Sequence, residues 1–127
     1  MMKLEELDIY RMSVDIANSI FTQVEKWEHF YQRSIGIQLV TAADSIAANI
    51  SEGFGRYYYK ENRVFCYYAR GSLLETKTHL NFAGERALFN EKKIVELMQS
   101  LDLLHRKLNA YINAIGPTTI DKMSIDK

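Results

Sequence analysis

Four cations recur at a spacing of seven residues: Arg56, Arg63, Arg70 and Lys77. Seven residues on an α-helix return to within about 20° of one direction, so a helical stretch would gather all four into one basic stripe. Lys60 lies close to the same line, and Tyr67 and Leu74 fall on it between the charges. Cations interleaved with an aromatic suit phosphates and stacked bases. They equally suit a protein interface, where Arg and Tyr are enriched. The bland reading is a solvated helix face with stray apolar residues.

Other reactive residue types have no matching constellation. A di-iron centre in a helical bundle needs Glu-x-x-His pairs on two helices, and the chain has no Glu-x-x-His. Glu75 and His79 are four apart without a counterpart, and Glu28 and His29 are adjacent, so their side chains diverge. His105 stands in an aliphatic row, as a satisfied core residue or as a buried pH-sensitive group. The lone cysteine, Cys66, lies between Phe65 and Tyr67 with no histidine nearby, and reads as a packed thiol. Neither a phosphate-cradling glycine loop nor a Gly-x-Ser-x-Gly elbow occurs. The expectation is a protein that is not an enzyme, with no catalytic residue, no metal, no cofactor and no identified small-molecule substrate.

The elements that must position the stripe follow from apolar periodicity. A first helix is expected over about 4–24, with Leu7, Val14, Ala17, Phe21 and Val24 as its stripe and Ile9, Ile16 and Ile20 beside it. Residues 25–33 lose the period and read as a connection. A second helix over about 35–52 places Ile35, Leu39, Ala42, Ala43, Ile46, Ile50 and Gly53 on one face, small enough for close approach. Beside that face runs a polar row of Gln38, Ser45, Asn49 and Glu52, read as a packed polar seam within the bundle or between subunits. Gly53-Phe54-Gly55 should end this helix through a left-handed glycine.

The third helix is expected over about 58–83, with Phe65, Ala69, Ser72, Thr76 and Ala83 facing the core. Gly84 and Asn90 bracket a short connection, Asn90 as an N-cap. The fourth, over about 91–115, shows Ile94, Met98, Leu101, His105, Leu108, Ile112 and Ile115 in alternating steps of four and three, the seam of a bundle. The fold class is therefore all-α, an antiparallel up-down-up-down four-helix bundle forming one domain over 1–116, with a flexible tail over 117–127. Tyr57-Tyr58-Tyr59 and Tyr67-Tyr68 cannot all enter one narrow core, which points to self-association.

Composition sets the bounds. The 127 residues are 47% hydrophobic and 25% charged, so one ordinary core is expected rather than disorder. Net charge is zero, whereas a nucleic-acid-binding domain is usually basic throughout. The balance is uneven, however: residues 1–55 hold four Lys/Arg against eight Asp/Glu, and residues 56–107 hold ten against six. One cysteine and an acidic start without an apolar leader make the cytoplasm the expected compartment, with no membrane partner.

The block from Gln38 to Arg56 contains Ser45-Ile46-Ala47-Ala48-Asn49-Ile50-Ser51-Glu52-Gly53, and Ala69-Arg70-Gly71-Ser72-Leu73-Leu74-Glu75 follows. This pair of segments resembles the bacterial four-helix bundle proteins encoded in 23S ribosomal RNA intervening sequences, over nearly the whole chain. The resemblance assigns Ser45, Asn49, Glu52, Gly53, Ser72 and Glu75 to the family motif. That family is similar in fold to the accessory proteins of diversity-generating retroelements, pentameric barrels that bind a reverse transcriptase and RNA. It therefore implies a homopentamer with a nucleic-acid partner, RNA or DNA, or a nucleic-acid enzyme. Family members commonly carry arginine where this chain has Val40-Thr41 and proline where Ala47 stands. The first difference removes charge from an inherited nucleic-acid surface, and the second straightens the helix. The resulting expectation is a homo-oligomeric scaffold whose third-helix stripe, Arg56, Lys60, Arg63, Tyr67, Arg70 and Lys77, meets an anionic partner; the alternative is a protein-interaction module with no nucleic-acid contact.

Overall fold

The computed structural model describes residues 2–116; the expected tail over 117–127 lies outside them. Four helices run through the described chain: α1 (Asp8–Val24), α2 (Ile37–Phe54), α3 (Tyr59–Glu85) and α4 (Glu91–Ala114). Each packs on its neighbours in sequence, and α4 returns to α1, closing a single-domain four-helix bundle. No helix of the described residues is long and apolar enough to cross a membrane.

The chain enters through a 3-10 turn, Leu4–Glu6. There the Lys3 amide donates to Glu6 Oε1 at 2.7 Å, before extended Leu7 tucks into the core. Buried residues of α1 are Ile9, Ser13, Ile16, Ala17, Ile20 and Val24. The isoleucines are thus the centre of the buried arc, while Phe21 is 53% exposed and Val14 half-buried. The arc must meet both α2 and α4, so it centres between them, and a row in steps of seven drifts off it.

Residues expected as a plain connection are partly helical. A helical turn at His29–Tyr31 runs into a π turn at Gln32–Gly36 and then into α2. Gln32 Nε2 donates to the carbonyls of Val24 (3.2 Å), which also accepts from the Trp27 amide, and Glu25 (2.9 Å), tying the connection to the end of α1. Trp27 meets Phe89 edge-on at 5.5 Å, joining this connection to the one between α3 and α4. Along α2, Leu39, Ala42, Ala43, Ile46, Ile50 and Gly53 are all buried, with Ile35 just ahead.

Gly53 and Gly55 do not act as a left-handed stop, since Gly55 keeps the right-handed φ of −80°. Gly53 instead lets α3 approach: a Cβ there would lie 3.0 Å from the Asn62 carbonyl oxygen and 3.0 Å from Phe65 Cβ. The buried face of α3 is Cys66, Ala69, Leu73, Thr76, Leu80 and Ala83. Phe65 and Ser72, expected inside, are half-buried on the α2 side. The α3–α4 connection turns at Ala87 (φ 58°), where the Leu88 amide reaches the Ala83 carbonyl at 2.9 Å. Asn90 caps α4, its Oδ1 accepting from the amides of Lys92 (2.8 Å) and Lys93 (3.3 Å).

On α4 the buried seam is Leu97, Leu101, Leu104, Leu108 and Ile112, with Ile115 following. Ile94, Met98 and His105 are half-buried at its flank, so His105 is not a core residue.

Candidate nucleic-acid interface and assembly face

The basic stripe runs down the seam between α3 and α4, and most of its charge is engaged there. Arg63 Nη1 donates to the Ile115 carbonyl at the end of α4. Arg70 Nη1 donates to Asn109 Oδ1 at 2.8 Å, and Lys77 Nζ pairs with Asp102 Oδ1 at 2.5 Å. Arg63, Arg70 and Lys77 are half-buried, their stems covering the edge of the core. Lys77 holds the exposed Asp102 carboxyl below its ordinary range, through its hydrogen bond first and its charge second. A seven-residue repeat beside an apolar seam is where bundle helices carry cross-helix polar contacts.

The rest of the set is accessible. Arg56 pairs with Glu52 at 2.6 Å and Glu61 at 3.6 Å, and its guanidinium sits 4.8 Å over the Phe65 ring. Lys60 is exposed and has no ion pair among the described residues. Tyr67 is exposed, with the Arg70 guanidinium 5.2 Å over its ring. The site is therefore two surfaces: a seam against α4 in which Lys77 is ion-paired and Arg63 and Arg70 are hydrogen-bonded to neutral groups, and an outward α3 face with Lys60, Tyr67, Tyr68 and Leu74. Tyr57 and Tyr58 are exposed just before that face.

Of the motif residues, Gly53 sits at the contact of α2 with α3. Ser45 Oγ donates to the Thr41 carbonyl at 2.8 Å, and Asn49 Nδ2 donates to the Ser45 carbonyl at 2.9 Å. Gln38 and Glu52 are exposed, so the hydrogen bonds of this polar row run along α2 rather than across to a neighbour. Ser72 is half-buried, its carbonyl accepting from buried Thr76 Oγ1 at 2.7 Å, and Glu75 is exposed. Gly53 abuts Asn62, which sequence periodicity did not single out. Asn62 Nδ2 donates to the Tyr111 hydroxyl at 3.2 Å, and its Oδ1 accepts from Cys66 Sγ at 3.6 Å. Gly53, at the end of the small-residue face of α2, was the sequence signal for this contact.

Burial pushes the Cys66 thiol up to about 11 and raises the Tyr111 phenol. At about pH 8 the thiolate is then roughly a thousandth of the population. The folded protein should leave Cys66 unlabelled by an aromatic disulfide reagent at that pH, and denaturant should release one reactive equivalent. Rapid labelling of the native chain would contradict the packed-thiol assignment. No group of three or more His, Cys, Asp or Glu among the described residues is placed to hold a metal ion.

The double motif has a counterpart among known families. A family model described as 23S rRNA-intervening sequence protein matches residues 5–110. The chain belongs to that family. No curated protein matches it. The matched span of this 23S rRNA-intervening sequence protein takes in α1, α2, α3 and most of α4, so the family relation extends to the whole bundle as well as to the motif.

Proposed function

We propose that this chain is a non-enzymatic, homo-oligomeric scaffold, a pentamer, that carries a nucleic-acid partner in the cytoplasm. The observation that supports it most directly is the outward face of α3. Tyr67, Tyr68 and Leu74 are 46%, 56% and 49% exposed, and Tyr57 and Tyr58 are exposed just before α3 begins. The core is filled without them, and a contiguous apolar face on a small domain is a feature of interaction surfaces. The number five comes from the family resemblance, as does RNA or DNA, alone or with a nucleic-acid enzyme, as the partner. The lone reduced cysteine is what favours the cytoplasm.

A second reading has its own support. Arg63, Arg70 and Lys77 already have partners within the chain, which leaves Arg56, Lys60 and Tyr67 as the accessible part of the stripe. A module that binds only proteins would need no more than that. Light scattering behind a sizing column tests the assembly. The wild type should run at the mass of five chains, and Tyr67→Glu with Leu74→Glu should fall to one chain with helicity intact. A wild type running as one chain would remove the scaffold reading; an unchanged double variant would move the interface off α3.

A further inference from the structure

Two clefts open side by side where the start of α2 meets the end of α3, sharing Ser34 as a common wall. One, of about 250 Å³, is lined by Ser34, Ile35, Gln38, His79, Phe82 and Arg86. The other, of about 450 Å³, is lined by His29, Phe30, Arg33 and Ser34. The π turn carries Arg33 and Ser34, so this irregular segment puts both clefts on one surface.

Their arginines, unlike Arg56 and Lys77 of the α3 stripe, have no carboxylate partner among the described residues. Ion pairs among the described residues engage Arg56, Lys77 and Lys107, but neither Arg33 nor Arg86. Glu28 and Glu85, the carboxylates nearest in sequence, are exposed and pair with neither arginine. Arg33 Nη1 lies 3.5 Å from His29 Nε2, and the Arg86 guanidinium sits 4.8 Å over the Phe82 ring. Phe30 is 72% exposed and Phe82 40%. Each cleft thus pairs an exposed aromatic ring with a guanidinium that has no ion pair among the described residues, Arg86 lying over one face of Phe82.

We infer that this double cleft docks single-stranded nucleic acid, with Phe30 and Phe82 stacking on bases and Arg33 and Arg86 contacting phosphates. Flat rings within clefts take up bases that are not already stacked, and guanidinium groups match phosphate geometry. A duplex keeps its bases stacked and would meet only the arginines. An acidic peptide would likewise use the arginines and leave the rings idle. The inference rests on the nucleic-acid part of the proposed function and moves that contact away from α3's stripe.

The test is fluorescence anisotropy of the full chain with a short labelled oligonucleotide, single-stranded RNA or DNA, against the matching duplex and poly-glutamate. Single strands should bind more tightly than either competitor. Phe30→Ala and Phe82→Ala should each weaken binding about tenfold, within the range for loss of one stacked base. Arg33→Glu with Arg86→Glu should weaken it steeply and reduce the slope of log K against log salt by about 1.4. The charge-matched pair Lys92→Glu with Arg106→Glu should lose far less, and circular dichroism should show each variant folded.

If the wild type binds but the cleft variants match that control pair while Arg56→Glu with Lys60→Glu abolishes binding, the clefts are overturned and the proposed function stands. If poly-glutamate binds as well as the oligonucleotide and the phenylalanine variants are unaffected, the surface takes an acidic protein instead. If the wild type binds no nucleic acid at low salt, the clefts and the nucleic-acid part of the function both fall.

Discussion

Gly53→Val should lower the unfolding midpoint by roughly 10 °C, a loss of about 3 kcal/mol, which is at the upper end for overpacking a tight contact. The cost starts with the first carbon added. A Cβ at Gly53 would sit 2.7 Å from Asn62 Oδ1, 3.0 Å from the Asn62 carbonyl oxygen and 3.0 Å from Phe65 Cβ. The amide oxygen alone would be a soft obstacle, but Asn62 is held by the Tyr111 hydroxyl and accepts the Cys66 thiol. The carbonyl is backbone, and it moves only if α3 moves.

Gly53→Ala should therefore already destabilise by about 1–2 kcal/mol, although alanine is the better helix former by about 1 kcal/mol. Gly84→Ala is the control. Its Cβ would meet Ile94 side-chain carbons at 3.7 and 3.8 Å, ordinary contact distances, so there the helix preference should win and stabilise by up to about 1 kcal/mol. Urea unfolding followed by circular dichroism reads both signs. A Gly53→Ala protein as stable as the wild type would mean that α2 and α3 can separate freely at this contact.

This pair of glycines shows where sequence reading reached and where it stopped. The apolar period of α2 places Leu39, Ala42, Ala43, Ile46, Ile50 and Gly53 on one face, and that face is buried. Its small residues signal close approach, because a helix that must admit a neighbour carries little bulk there. The rule that glycine ends helices pointed Gly53 and Gly55 at the chain's exit instead. Positive φ falls at Ala87, in the next connection, a position no glycine marks, and at Gly116 just past α4. Asn90 was legible because an N-cap depends only on its own side chain and the amides just after it.

The stripe on α3 was legible as a pattern but not as a contact. Spacing by seven tells which residues share a direction, and it is silent about which neighbour lies in that direction. Asn109, Asp102 and the Ile115 carbonyl receive the stripe's charges from α4, 39, 25 and 52 residues away respectively. The clefts around Ser34 were harder still. They join residues from two helices through a π turn, and the turn adds a residue per turn that no 3.6-residue period anticipates.

Leu104→Ala should cost about 3 kcal/mol, whereas its neighbour His105→Ala should cost well under 1 kcal/mol. The contrast tests how α4 is rotated. Both possible seams of this helix share Leu101, Leu108, Ile112 and Ile115; they differ in whether Leu97 and Leu104, or Met98 and His105, lie inside. Contacts on either side decide the matter. Lys107 pairs with Asp8 at the start of α1 at 2.8 Å, while Asp102 and Asn109 reach Lys77 and Arg70 of α3. The directions of Leu97 and Leu104 fall between those two sets, whereas Met98 and His105 turn toward the α3 edge. Leu104 is accordingly fully buried, and truncating it opens a cavity that the packed helices around it can close only in part. His105 is half-buried and loses little by truncation. Equal losses in urea unfolding would put the histidine back in the core and rotate α4 by roughly 40°, disturbing the contacts that now hold the basic stripe.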